Sequence, residues 1–300
     1  MFDYWVDMVA GEAPMGALFS NARIEVIPTK SVGEQVEQLI SKDVTIAVTA
    51  SPVKGLDSTF ELAERLCDAG FNVVPHLSAR LVVDEKHLAE IVARLAERKI
   101  SDVFVPAGDA DPPAGKFDSS LSLLEALDHM GRPFERVGIT GYPESHPKIS
   151  DDVTVQAMWD KRHYASYVIS NLCFDPTIIK HWVERVRKRG VKLPIYLGVA
   201  APIDRTKLLD VASKIGVGES TKFLTKHAAW FLRMGTPGGY SPNRLLQRIG
   251  STLTAESSLI EGLHIYSFNQ IRQSEEWRVG QIERFGGAIP EKALQSHPVN

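Results

Sequence analysis

One carboxylate stands out in this chain because of its neighbours. Glu25 lies in Ile24-Glu25-Val26-Ile27, an apolar run of the kind that forms a buried strand. Burying a charge favours its protonated form, and a carboxylic acid held that way near neutral pH can act as a general acid. A glutamate tied to a lysine or arginine of a neighbouring strand would read the same way, and position alone does not separate the two. Other polar groups stand at or just past the ends of short apolar runs: Thr49, His76, Asp109, Tyr142, His146, Asn171, Tyr266 and the stretch Ser267-Phe268-Asn269-Gln270. Asp109 could accept hydrogen bonds from a polar heterocycle or simply shape the turn before Pro112-Pro113. Tyr142 could stack on a ring or cover the mouth of the fold. His76 and His146 each neighbour a proline, but no HxH or HExxH spacing occurs, so no metal site is expected. Cys173, among apolar residues, reads as a small core hydrophobe rather than a nucleophile.

The elements that must position these groups alternate along the chain. Strands are predicted at 23–27, 44–48, 72–74, 102–105, 136–139, 166–169, 193–197 and 262–266. Amphipathic helices are predicted between them, at 59–69, 85–98, 119–130, 153–164, 176–189 and 203–215. Asp175-Pro176 suits an N-cap followed by proline at the first helical position, and Gly70 and Gly190 sit where left-handed caps are wanted. Eight strands alternating with helices fit a (β/α)₈ barrel, an α/β fold here expected as a single domain over 1–300. An open doubly wound sheet is the competitor, but no glycine-rich dinucleotide fingerprint follows the first strand. Gly216-Val217-Gly218 and Ala114-Gly115-Lys116 are too incomplete to count as phosphate loops. The stretch 219–258 reads as an elaborated connection after the seventh strand, with helices at 221–234 and from Asn243, serving either as a substrate lid or as a plain insertion. The tail 288–300 is expected to be lightly docked. In a barrel, chemistry sits at the carboxyl ends of the strands, which is where the polar groups above fall.

Composition excludes several classes. Lys and Arg number 34 against 37 Asp and Glu, a formal charge of -3, without the basic excess of a nucleic-acid surface. No apolar run approaches the roughly 20 residues of a bilayer span. Acids near the start argue against an export signal, and the two cysteines against a disulfide scaffold, so a reducing cytoplasm is the expected compartment.

The segments 24–30 (IEVIPTK), 48–51, Pro75-His76-Leu77, Gly108-Asp109 with the Pro-Pro-x-Gly-Lys that follows, 141–147 (GYPESHP), Phe174-Asp175 after Ser170-Asn171, and 264–269 (HIYSFN) appear in an order that resembles the catalytic barrel of the 5,10-methylenetetrahydrofolate reductases. The resemblance covers most of the chain. It implies reduction of the methylene bridge between N5 and N10 of tetrahydrofolate to an N5-methyl group, with Glu25 as the general acid at N10. It implies a folate substrate contacted by Asp109, by Asn171 where relatives carry a glutamine, and by Tyr266. It implies a cofactor site lined by Thr49, His76, Tyr142 and His146, and by its charge Lys161 is a further candidate contact for a cofactor pyrophosphate.

The chain also departs from the pattern. FAD-using members carry an arginine two residues before the aspartate, where this chain has Ala107, and Gln270 replaces an arginine usual after the eighth strand. Resemblance is therefore greater to a divergent flavin-free branch, in which NADH or NADPH hands its hydride directly to the folate. An FAD-dependent ping-pong reductase, a deazaflavin-linked reductase of another pterin carrier and a non-catalytic folate-binding barrel are the alternatives.

Overall fold

The computed structural model describes residues 9–144, 151–203 and 240–287. The predicted strands are all present: β1 Arg23–Val26, β2 Thr45–Val48, β3 Val73–Pro75, β4 Asp102–Phe104, β5 Arg136–Gly141, β6 Tyr167–Ser170, β7 Ile195–Ala200 and β8 Ile260–Tyr266. They form one parallel sheet in the order β3-β2-β1-β8-β7-β6-β5-β4. The two ends of that order meet, because His76 bridges Phe104 and the Leu77 N–H donates to the Phe104 carbonyl at 2.8 Å. The sheet is thus closed into a (β/α)₈ barrel, which leaves no strand edge unpaired.

The helices follow the predicted alternation: α1 Val9–Ser20, α2 Val32–Leu39, α3 Asp57–Asp68, α4 Glu85–Glu97, α5 Ser120–His129, α6 Asp151–Lys161, α7 Pro176–Lys188, α8 Asn243–Arg248, α9 Gly250–Leu253 and α10 Ile271–Arg284. Asp175 caps α7 by accepting from the Thr177 and Ile178 N–H groups at 2.7 and 3.2 Å, with Pro176 next. Gly70 and Gly190 take the left-handed conformation at the ends of α3 and α7. Three helices go beyond the expected set. α1 is apolar without a stripe, α2 is only eight residues long, and α10 buries charged side chains among its apolar ones. On α10 the buried Arg278 makes two 2.8 Å bonds to Glu275 and donates to the Phe19 carbonyl at 3.1 Å, fixing α10 against α1.

Alternate residues of each strand face opposite ways. Ile24, Val26, Ile46, Val48, Val103, Ile139, Val168, Leu197, Val199, Leu263 and Ile265 belong to the large core shared with the helices. Ala47, Val74, Phe104, Tyr167, Ile169 and Tyr196 form a second, smaller cluster in the lumen. Large lumen rings need small partners. A Cβ on Gly138 would strike the Tyr167 ring, and one on Gly198 would meet the Tyr266 ring and the Ser170 carbonyl.

Within 219–258 only 240–258 are described. Tyr240 pairs with Ile203 through two backbone hydrogen bonds of 2.9 and 3.1 Å, and α8 begins at Asn243 as expected but gives way to α9 after Ile249. The helices expected at 203–215 (all but its first residue) and 221–234, and the tail 288–300, lie outside the described residues.

Candidate active site

Glu25 and Arg23 are both on the inner face of β1, two residues apart, and they enter different surroundings. Around Glu25 the barrel supplies two imidazoles. His264 of β8, fully buried, places Nε2 3.0 Å from Glu25 Oε2. His76, just past β3 and also buried, places Nε2 3.7 Å from the same oxygen, too far for a hydrogen bond. His264 Nδ1 is enclosed and has no hydrogen-bond partner among the described residues. A hydrogen there would be an unsatisfied buried donor, so the ring is assigned with its hydrogen on Nε2, donating to Glu25. Burial pushes the His76 imidazole down to about 4, so it is uncharged at neutral pH despite the neighbouring carboxylate. Glu25 itself keeps 15% of its side chain exposed, so the carboxyl is reachable from the mouth of the barrel.

The backbone under Glu25 is held from β8. Ser267 Oγ donates to the Glu25 carbonyl, while the Asn269 amide brackets Ile27, accepting from its N–H at 2.8 Å and donating to its carbonyl at 2.9 Å. Phe268 and Asn269 reach these positions with positive φ of 49° and 58°. Tyr266, half-buried, stacks edge-on against His264 with ring centres 4.8 Å apart and donates its hydroxyl to the Ser170 carbonyl at 3.2 Å. Its hydroxyl is pushed well above the usual phenol range by burial, then by Glu25 and Tyr142.

The other candidates divide. His76 and Tyr266 join Glu25. Tyr142, half-buried past β5, lies near Tyr266. Thr49, half-buried past β2, is anchored by its N–H on the Val26 carbonyl and by Thr59 Oγ1 on its own carbonyl at 2.8 Å. Asp109 and Asn171 are exposed on the rim loops after β4 and β6 rather than in the Glu25 cluster. Asn171 Oδ1 accepts from the Leu172 N–H at 2.9 Å. Lys161 is not brought to this end at all. It lies in the last turn of α6, whose C-terminus leads into the start of β6, at the opposite mouth of the barrel. His146 lies outside the described residues. Cys173 is buried, and burial drives its thiol far above the normal range, as befits a core residue.

His264 is the residue that sequence reasoning passed over. In Leu263-His264-Ile265 it looks like one polar residue in a packed strand. The available signal was the two-residue strand period: once Tyr266 faces the lumen, His264 must too.

Fold and cluster together define a (β/α)₈ barrel with an acid–imidazole site at the carboxyl ends of β1, β3 and β8. The chain belongs to the methylenetetrahydrofolate reductase family: the family model described by that name matches residues 32–220. Methylenetetrahydrofolate reductase 2 of Saccharomyces cerevisiae is 23% identical over 216 residues, which cover 65% of this chain and 32% of that protein. The chain thus spans about a third of the length of this curated relative. Among solved structures, a GH18 chitinase from Pseudoalteromonas aurantia superposes with a TM-score of 0.52 at 11% identity, over 86% of this chain and 99% of that one. A plant class V chitinase mutant from Cycas revoluta does so with a TM-score of 0.50 at 10% identity, over 89% and 99%. These two likenesses concern the fold alone.

Proposed function

We propose that this barrel reduces 5,10-methylenetetrahydrofolate to 5-methyltetrahydrofolate by direct hydride transfer from NADH or NADPH, with Glu25 as the general acid. The observation that carries the proposal is the Glu25 carboxyl, reachable from the mouth and fixed on its inner side by His264 at 3.0 Å. Such a group can deliver a proton to one atom of a bound substrate. Protonation at N10 breaks the C–N10 bond of the five-membered ring and leaves an N5 iminium. Hydride from C4 of the dihydronicotinamide then adds to the exocyclic carbon, giving the N5-methyl group and oxidised nicotinamide. The uncharged His76 beside Glu25 adds no cation that would hold the acid ionised. Asp109 and Asn171, on rim loops at the same end of the barrel, would meet polar edges of the pterin, with Tyr266 beside the acid. The remaining task is holding two flat rings in register, a proximity effect.

We propose that the site works without FAD, whose pyrophosphate calls for cations or backbone donors. Ala107 stands where FAD-using relatives carry an arginine and Lys161 stands at the far mouth, which leaves Arg80 on the same lip as a cation that a pyrophosphate could meet. The test is a visible spectrum of the purified protein, followed by NADH oxidation with methylenetetrahydrofolate and no added flavin. A colourless protein that turns over is expected. A band near 450 nm, or activity only after FAD is added, would replace direct transfer with the ping-pong cycle; no reductase activity with or without FAD would refute the reductase itself.

A further inference from the structure

We infer that Arg80 is the anion contact of this site, taking a phosphate or carboxylate group of a bound ligand; the inference rests on the proposed reductase reading and extends it. Arg80 lies in the short 3₁₀ turn Ala79–Leu81 that follows β3, on the same end of the barrel as His76. Its main chain is fully engaged with the loop after β4. The Arg80 N–H donates to the Ala107 carbonyl at 2.9 Å, and its carbonyl accepts from the Ala114 N–H at 2.9 Å. On either side, the Ala79 N–H donates to the Pro106 carbonyl at 3.0 Å and the Lys116 N–H to the Val83 carbonyl at 3.0 Å. Gly108 completes the weave, since a Cβ there would collide with the Ser78 hydroxyl. The segments 78–83 and 106–116 are thereby one lip, with Arg80 pinned at its centre.

The guanidinium is held in place yet underused. Nε is enclosed and has no hydrogen-bond partner among the described residues. Among the described residues its one ion pair is a loose 3.9 Å approach of Nη2 to Asp111, whose side chain is 81% exposed. A surface pair of that kind contributes little. A buried guanidinium nitrogen without an acceptor is costly, whereas a planar fork facing a phosphate or carboxylate makes strong paired bonds. A backbone fixed at both polar groups, with an idle fork attached, is what an anion subsite requires before its ligand arrives. Two ligand groups have this chemistry: the pyrophosphate of the nicotinamide nucleotide and the glutamate carboxylates of the folate.

The experiment measures dissociation constants, without turnover, for NADH, for mono- and pentaglutamyl 5-methyltetrahydrofolate and for inorganic pyrophosphate, on the wild-type chain and on Arg80→Gln and Arg80→Lys. Loss of one charge-assisted fork weakens its ligand by about tenfold or more, with Arg80→Lys intermediate and the melting temperature unchanged. Weaker NADH and pyrophosphate with unchanged folate identifies the nucleotide. Weaker pentaglutamate with unchanged NADH identifies the folate tail. Unchanged affinities for all probes, affinities that fall only together with the melting temperature, or a wild-type chain that binds none of the probes each overturn the assignment. Pyrophosphate binding that depends on Arg80 in a chain with no reductase activity would keep the anion contact while refuting the reductase.

Discussion

The barrel lumen holds two polar clusters that start from residues two apart on β1, and they are finished in opposite ways. At the amino end, Arg23 is 3% exposed and its guanidinium lies between the Tyr167 and Tyr196 rings, 4.1 Å from each centre. Asp102 accepts from Arg23 at 3.2 Å and from the Tyr167 hydroxyl at 2.7 Å, and Arg136 approaches it at 3.6 Å. Burial pushes the Asp102 carboxyl up, and Arg23 pulls against it. Cation, anion and phenol are thus joined in one closed plug. At the carboxyl end, Glu25 has imidazoles for neighbours instead of an arginine, and part of its carboxyl faces the mouth. A buried ion pair fixes structure; a carboxyl with hydrogen-bonding capacity left over is free to meet a ligand. The two clusters teach how one strand serves both needs by exchanging the partner of a charge.

Swapping each carboxylate for its amide gives the sharpest test of that difference. Glu25→Gln preserves shape and can still accept from His264, but it has no proton to give. Turnover should fall by about 10²–10⁴-fold, the usual worth of a general acid, with the melting temperature unchanged. A near-normal rate would remove Glu25 from the mechanism. Asp102→Asn should do the reverse. It leaves Arg23 buried without its counter-charge, a loss of roughly 3–5 kcal/mol that lowers the melting temperature by about 10 °C. Turnover measured well below that temperature should persist. If Asp102→Asn instead abolished activity in a folded protein, the two clusters would not be separable.

Acid provides the next largest effect, and it falls on the carboxyl-end cluster. His76 is held down to about 4 from an ordinary 6.5, chiefly by burial. As the pH drops through that interval the unfolded chain takes up a proton that the folded chain refuses. The stability is therefore complete above 6.5 and declines on the way to 4, by roughly 3 kcal/mol in total. His76→Asn should flatten this slope by about one proton when chemical denaturation is followed across the same interval. An identical slope in the variant would mean that His76 titrates normally and is not enclosed.

Much of this arrangement was legible in the sequence. The eight strands were readable because runs such as Val44–Val48 and Ile195–Leu197 are short, apolar and bounded by turns, and a parallel barrel buries both faces of its strands. Glu25 was readable because a carboxylate in such a run contradicts its surroundings. The partners were harder. His264 and Arg23 are charged or polar residues whose neighbours come from strands far away in the chain, and only closure of the sheet brings β1 beside β8. α1 was missed because an apolar helix without a stripe carries no period to detect, and α2 because eight residues leave little room for one. Arg80 gave no signal at all. Its meaning comes from the hydrogen bonds of a loop that begins more than twenty residues later.

Lys161 yields the smallest effect and the clearest check on which mouth of the barrel binds ligands. Its charge makes it a candidate cofactor contact in the sequence, whereas the end of α6 puts it on the side of the Arg23 plug. Burial there pushes its ammonium down, against a weaker upward pull from Asp160, so the charge is a burden on the fold rather than a tool. Lys161→Met should leave the KM for NADH and the turnover number unchanged, and should hold or slightly raise the melting temperature, because an apolar stem replaces a poorly solvated charge of similar length. A several-fold rise in the KM for NADH would place a nucleotide phosphate at α6 and would count against ligand binding solely at the Glu25 end. Measured beside Arg80→Gln under the same conditions, the pair assigns the anion-binding cation to one mouth or the other.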